Sequence, residues 1–169
     1  MSSNDGNEQR HLPLDNSVKI NVDAAIFEDP RHYNYAFLTR DHNGSLVEAI
    51  SKCSPGRVTP EFAEALGIRE ALSWTKMKRY HNMVVETDCL RVVQLIRSSF
   101  SSLSYLEKVI ADCRTCLSDL SSQNAVLRFV RRSANSVAHY LARYSSSITD
   151  RVWRVGDVPR NLILFFVKI

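Results

Sequence analysis

Apolar and polar residues alternate without a break over Val18-Lys19-Ile20-Asn21-Val22-Asp23, the period-two pattern of a strand with one apolar and one polar face. The pattern puts Asp23 at the end of that strand, on its polar side. Runs over Tyr35–Arg40 and Ser45–Lys52 flank Asp41-His42-Asn43-Gly44, where Asn-Gly supplies the φ > 0 residues that a tight hairpin turn prefers. Three antiparallel strands are therefore predicted to open the domain. After Pro55-Gly56 the period changes. Phe62, Ala65, Ile68 and Leu72 recur at three- and four-residue spacing, which predicts a helix over about 60–79 starting at Thr59 or Pro60.

Met83-Val84-Val85 is a short continuous apolar run, as for a strand buried on both faces. It leads through Glu86-Thr87-Asp88 into a helix carrying Val92, Val93 and Ile96, which the Ser-rich stretch Ser98–Ser104 interrupts. A third helix carries Leu106, Val109, Ile110, Cys113, Leu117 and Leu120 on one face. A strand at Val126–Val130 and a helix with Val137, Leu141 and Tyr144 follow. Strands separated by helices are joined by crossovers and run parallel, so the order β-β-β-α-β-α-α-β-α predicts one α/β domain over 17–147. Its sheet is mixed and five-stranded, the last two strands parallel to the first, and helices cover it. Residues 1–16 read as a flexible tail. Residues 148–169, with Trp153 and the run Leu162-Ile163-Leu164-Phe165-Phe166-Val167, read as an extra strand or arm that packs on the domain, or else as an apolar patch for a partner.

Composition narrows the class. The chain has 169 residues, 44% hydrophobic and 24% charged, as expected of one globular domain, and no run reaches the ~18–20 apolar residues of a membrane span. The first sixteen residues lack the apolar core of a secretory signal and the arginines of a transit peptide, which points to an intracellular protein of nucleus or cytoplasm with four reduced cysteines. The net charge of +4 is uneven: residues 1–16 sum to −2, 17–124 to zero and 125–169 to +6. A basic C-terminal end attracts phosphate backbones.

Three carboxylates stand at special places: Asp23 on the first strand, Glu64 early in the first helix, and Asp88 where the fourth strand meets the second helix. Each has an ordinary explanation. Asp88 or Thr87 can cap a helix, Glu64 suits a helix N-terminus, and Asp23 can be a polar strand-end residue. Together they differ, because the first and fourth strands are predicted to be adjacent and parallel and their ends converge at one sheet edge, where α/β folds place ligands. Clustered carboxylates repel unless a hard cation sits between them, so the cluster predicts a metal.

Five blocks in order, Lys19-Ile20-Asn21-Val22-Asp23-Ala24-Ala25, Arg40-Asp41-His42-Asn43-Gly44, Ala63 through Leu72, Glu86-Thr87-Asp88-Cys89 and Arg131-Arg132-Ser133-Ala134-Asn135-Ser136-Val137-Ala138-His139, closely resemble the plant ribonuclease H-like family. That family is related to the reverse-transcriptase-associated ribonuclease H domain of retroelements. The resemblance runs over about 17–145 and implies the ribonuclease H-like fold. It also implies that Asp23, Glu64 and Asp88 are metal-binding and catalytic. Two Mg²⁺ (or Mn²⁺) ions would activate a water and stabilise the leaving oxygen during phosphodiester hydrolysis. The fourth acidic position of the family falls at His139, for which two readings stand: a catalytic or metal-binding imidazole, or a side chain hydrogen-bonded near the sheet edge.

Arg128, Arg131, Arg132 and Asn135 are the expected nucleic-acid contacts, with Lys76, Lys78 and Arg79 a second basic group. Cys113 and Cys116 lie within a helix without a second Cys or His pair, which argues against zinc. Two functions follow. One is a metal-dependent endonuclease cutting the RNA strand of RNA/DNA hybrids or related nucleic acids. The other is a catalytically weak or inactive module that binds nucleic acid or protein. The His139 substitution, the family glycines replaced at Ala24 and in Asn34-Tyr35-Ala36, the missing substrate-gripping loop and the apolar C-terminal tail support the second, and the three carboxylates support the first; Pro60-Glu61-Phe62 and Leu90 bear on the preference for RNA or DNA.

Overall fold

The structure is a computed structural model that describes residues 17–144, 150–154, 156–158, 160 and 163. The tail expected over 1–16 and most of the apolar run 162–167 lie outside the described residues. The elements are β1 (Val18–Glu28), β2 (Arg31–Arg40), β3 (Leu46–Pro55), α1 (Pro60–Lys78), β4 (Met83–Thr87), α2 (Leu90–Arg97), α3 (Tyr105–Asp119), β5 (Ala125–Phe129), α4 (Ser136–Tyr144) and β6 (Arg151–Arg154). Short 3-10 turns, Ser121–Gln123 and Arg132–Asn135, precede β5 and α4. None of the described helices is long and apolar enough to cross a membrane.

The sheet order is β5-β4-β1-β2-β3-β6. β1 pairs antiparallel with β2 and parallel with β4, and β4 pairs parallel with β5. This is the α/β ribonuclease H-like architecture expected, with three differences. The sheet has six strands among the described residues rather than five, because Arg151–Arg154 pair antiparallel with β3 and bury Trp153. The first strand does not end at Asp23: β1 continues to Glu28 because β2 stays paired with it from Ala24↔Tyr35 to Glu28↔Arg31.

The third difference lies in the turn between β2 and β3, where only Gly44 takes positive φ, at 79°. Gly44 N–H donates to Asp41 O, Asp41 Oδ1 accepts from the N–H groups of Asn43 and Ser45, and the register slips between Thr39 and Arg40. A side-chain-braced turn with Gly44 at positive φ thus replaces the two-residue Asn-Gly turn, and Val47 is the extra residue of the bulge that follows.

α1 starts where Thr59 Oγ1 accepts from Phe62 N–H and Pro60 occupies the first turn, since a capping hydroxyl satisfies an orphan N–H and proline lacks one. Ser104 caps α3 in the same way through Glu107 N–H. Alternation divides the sheet. Ile20, Val22, Tyr35, Phe37 and Val85 face α1, α2 and α3 in one core, and Ala25, Ala36, Leu38 and Ala49 face α4 and Trp153 in another.

The polar face of β1 is buried, not solvated. Lys19 Nζ lies 3.3 Å from Glu86 Oε1, Asn21 Nδ2 donates to Glu86 Oε2 at 3.0 Å, and Arg40 Nη1 donates to Asn21 Oδ1 at 3.3 Å. Pairing of this kind is what allows charge to stay inside.

α1 crosses the sheet at Gly67, where an added Cβ would meet Val22 Cγ1 at 3.0 Å and Tyr35 Cβ at 3.1 Å. Overpacking typically costs about 1–3 kcal/mol, so Gly67→Val is expected to lose that much in urea unfolding. Gly67→Ala, which regains about 1 kcal/mol of helix propensity, should lose less.

Candidate metal centre

The candidate centre begins with a strand that outlasts its neighbour. The β1–β4 pairing ends at Val22↔Thr87, so Asp23 is the first β1 residue with no β4 partner beside it. Asp88 is the first residue past β4, and the two carboxylates meet where the parallel pair opens. Glu64, in the second turn of α1, reaches over the opening, and its Oε1 accepts from Ala24 N–H at 3.1 Å. One ligand atom from each of Asp23, Glu64 and Asp88 lies within 4.8 Å of the others.

Each carboxylate is held through one oxygen. Asp23 Oδ2 is 2.6 Å from His139 Nδ1, Glu64 Oε1 takes the Ala24 N–H, and Asp88 Oδ2 accepts from Arg132 Nε at 2.8 Å. Among the described residues no N–H or hydroxyl donates to the other, buried oxygens of Asp23 and Glu64, and a proton held on Glu64 can be shared with the Asp23 carboxylate. Unsatisfied buried oxygens of that kind are costly and call for an explanation. Burial chiefly, then the adjoining Asp23 carboxylate and then Asp88, push the Glu64 carboxyl well above its usual range, while the Ala24 N–H works the other way. The donor set, three carboxylates with oxygens turned towards one point, fits a hard divalent cation.

Asp88 does not cap α2: its side chain meets Arg132, and Thr87 Oγ1 accepts from Cys89 N–H instead. The Cys89 thiol beside the cluster is pushed up to about 11, mainly by burial, so it stays protonated and is a poor nucleophile at neutral pH.

The sequence-derived residues are thus partly gathered and partly not. Asp23, Glu64, Asp88 and His139 come together, and Arg132 joins them through Asp88. Arg128 instead pairs with Glu86 at 2.5 Å, and Arg131 is exposed at the start of the turn before α4. Asn135 was expected among the nucleic-acid contacts but is 1% exposed. Its Nδ2 donates to Val22 O at 2.8 Å and its Oδ1 accepts from Asn21 at 3.2 Å, so the buried amide ties the approach to α4 to β1. Lys76 pairs with Asp119, and Lys78 lies over Trp74 near Glu48. Arg143 was missed: its Nε donates to His139 Nε2 at 2.9 Å. The signal was present, since residues four apart on a helix are neighbours.

Residues 21–145 match the family described as Reverse transcriptase-like, and the chain belongs to that family. No curated protein matches the chain in sequence. Among solved structures, it is similar to RNase H1 from the halophilic archaeon Halobacterium salinarum NRC-1, at a TM-score of 0.65 and 18% identity over 76% of this chain and 96% of that one. It is also similar to LC11-RNase H1 in complex with RNA/DNA hybrid, at 0.64 and 17% over 75% and 94%. The prototype foamy virus protease-reverse transcriptase matches at 0.62 and 13%, over 79% of this chain but 21% of the viral one. These likenesses establish the ribonuclease H-like fold.

Glu64 sets an expectation for the metal-free protein. Its raised value means that its favourable contribution is complete at pH below the unfolded carboxyl value. That contribution is lost as pH rises through the folded one. Glu64→Gln is therefore expected to raise the melting temperature of the metal-free protein at neutral pH, by about 2–4 °C per kcal/mol of repulsion relieved. It should also abolish the further rise that Mg²⁺ gives the unsubstituted protein; differential scanning calorimetry with and without Mg²⁺ reads both.

Proposed function

We propose that this domain is a divalent-metal-dependent endonuclease of ribonuclease H type, hydrolysing phosphodiesters in the RNA strand of RNA/DNA hybrids. The observation that carries the reading is the cluster of Asp23, Glu64 and Asp88 within 4.8 Å, two of whose oxygens are buried without an N–H donor. A structural role for three such carboxylates would have supplied those oxygens with N–H or O–H partners. Placement of the ordered sequence blocks in the plant branch of the family belongs to the same proposal. So does the use of an RNA/DNA hybrid, which a structural relative binds.

When bound, Mg²⁺ or Mn²⁺ supplies Lewis acidity and an activated water for in-line displacement at phosphorus. The chain supplies the rest. Asp23, Glu64 and Asp88 offer hard oxygen donors, while the protonated Cys89 thiol offers no soft one, which favours Mg²⁺ or Mn²⁺ over zinc. Ala24 N–H, His139 and Arg132 fix the three carboxylates, so little ordering is left for the moment of binding. Arg132, with its side chain 65% exposed, can turn from Asp88 to a phosphate oxygen once the carboxylates are engaged at the centre. Arg131, exposed before α4, and Arg128, half exposed beside Glu86, are further candidate phosphate contacts. The second reading, a binding module with little turnover, has one specific observation in its favour: Arg132 neutralises Asp88 where a metal would.

The test is cleavage of an end-labelled RNA/DNA hybrid, beside single-stranded RNA and duplex DNA, in Mg²⁺ and in Mn²⁺. Metal-dependent cutting of the hybrid's RNA strand is expected, and Asp23→Asn should lose at least about 10²-fold, as a metal ligand worth several kcal/mol would. A mutant that cuts as well as the parent, or no cutting in either metal, removes the nuclease reading. For binding, Arg132→Ala is expected to lower the slope of log affinity against log salt by about 1; an unchanged slope would take Arg132 out of the phosphate contacts.

A further inference from the structure

We propose that His139 is a positioning residue and not a metal ligand, and that Arg143 locks its ring in the tautomer whose Nδ1 proton faces Asp23. The proposal rests on reading the carboxylate cluster as a metal centre, and it assigns a role to the position where the family's fourth acid would stand.

The argument is one of donors and acceptors. A guanidinium has five N–H groups and no acceptor, so the 2.9 Å contact from Arg143 Nε to His139 Nε2 requires a lone pair on Nε2. The ring proton must then sit on Nδ1, and at 2.6 Å from Asp23 Oδ2 it is donated to the carboxylate. Both ring nitrogens are thereby used. Nδ1 has no lone pair for a metal, and the lone pair of Nε2 points across the ring from Asp23 towards Arg143.

The helix makes this geometry natural. His139 and Arg143 are four residues apart on α4 and share a face. One turn earlier, Asn135 clamps the approach to α4 through Val22 O, the residue just before Asp23. The result is a chain of hydrogen bonds, Arg143 to His139 to Asp23, that holds Asp23 by Oδ2 and leaves Oδ1 buried without an N–H donor. Partners of a metal ligand of this kind are typically worth about 10–100-fold in metal affinity.

The test uses the full chain with ¹⁵N-labelled histidine and long-range ¹H–¹⁵N spectra, the His139 signals being assigned by their loss in His139→Asn. In the metal-free protein Nδ1 is expected to carry the proton and Nε2 none, and saturating Mg²⁺ should leave the Nε2 signal in place. Arg143→Leu, at an exposed position, should give mixed tautomers with an unchanged circular dichroism spectrum. Its Mg²⁺ affinity by calorimetric titration should fall about 10-fold.

His139→Asn keeps an N–H for Asp23 and should bind Mg²⁺ within a few-fold of the parent, whereas His139→Ala should lose about 10-fold. A proton on Nε2 in the unsubstituted protein, a large Nε2 shift on adding Mg²⁺, or an Asn variant as weak as the Ala variant would overturn the proposal. Failure of Mg²⁺ to bind at all would sink the metal reading of the cluster instead, and the ring protons of the metal-free protein would still decide the role of His139.

Discussion

The structure depends on a mismatch of strand lengths. β4 stops at Thr87, opposite Val22, while β1 runs on to Glu28 with β2 alone beside it. Had β4 continued, Asp88 would have been a ladder residue pointing to one face, and α2 could not begin where it does. Because β4 ends, Asp88 leaves the ladder and its side chain is held by Arg132, while Asp23 stays in a paired strand. Glu64 then completes the group from the other face of the sheet, and it can do so because α1 lies close against β1 and β2 at Gly67. Backbone pairing fixes one carboxylate, strand termination the second and helix–sheet contact the third.

That placement explains why the sequence disclosed some features and hid others. The alternation over Val18–Asp23 was readable because the two faces of β1 differ there in chemistry. Beyond Asp23 the sequence Ala24-Ala25-Ile26-Phe27 loses its alternation, since both faces are covered: Ala24 packs with the larger core and Ala25 belongs to the smaller. A strand apolar on both sides has no period-two signal. The turn after β2 was placed correctly and its type was not, because the bracing comes from the Asp41 carboxylate rather than from the Asn-Gly pair. An extra strand within 148–169 was an open expectation, but β6 is short, with arginines at Arg151 and Arg154, and its pairing with β3 is a long-range event whose partner and bounds no local pattern announces.

The candidate centre was legible in its carboxylates and less so in what holds them. Ala24 contributes only a backbone N–H, which has no sequence signature. Asn135 illustrates the opposite difficulty: an amide has the same composition whether it reads a ligand or sews two elements together. Its burial and its bonds to Val22 and Asn21 are properties of the fold. Arg143 was recoverable from i, i+4 spacing, but only after His139 was known to face the sheet.

Two neighbouring groups of charge on the same strands show what distinguishes a centre from a scaffold. One step back from the opening, Glu86 is met by Lys19, Asn21 and Arg128, so a single buried carboxylate has more donors than it has oxygens. One step forward, Asp23, Glu64 and Asp88 share one imidazole, one backbone N–H and one guanidinium. Protein interiors tolerate ionised groups when their charge and lone pairs are matched, and the first group obeys that rule. The second breaks it, with three carboxyls to one guanidinium and two buried oxygens that no N–H reaches. That imbalance, beside a balanced network one step back from the opening on β1 and β4, is the physical ground on which the proposed cation site rests.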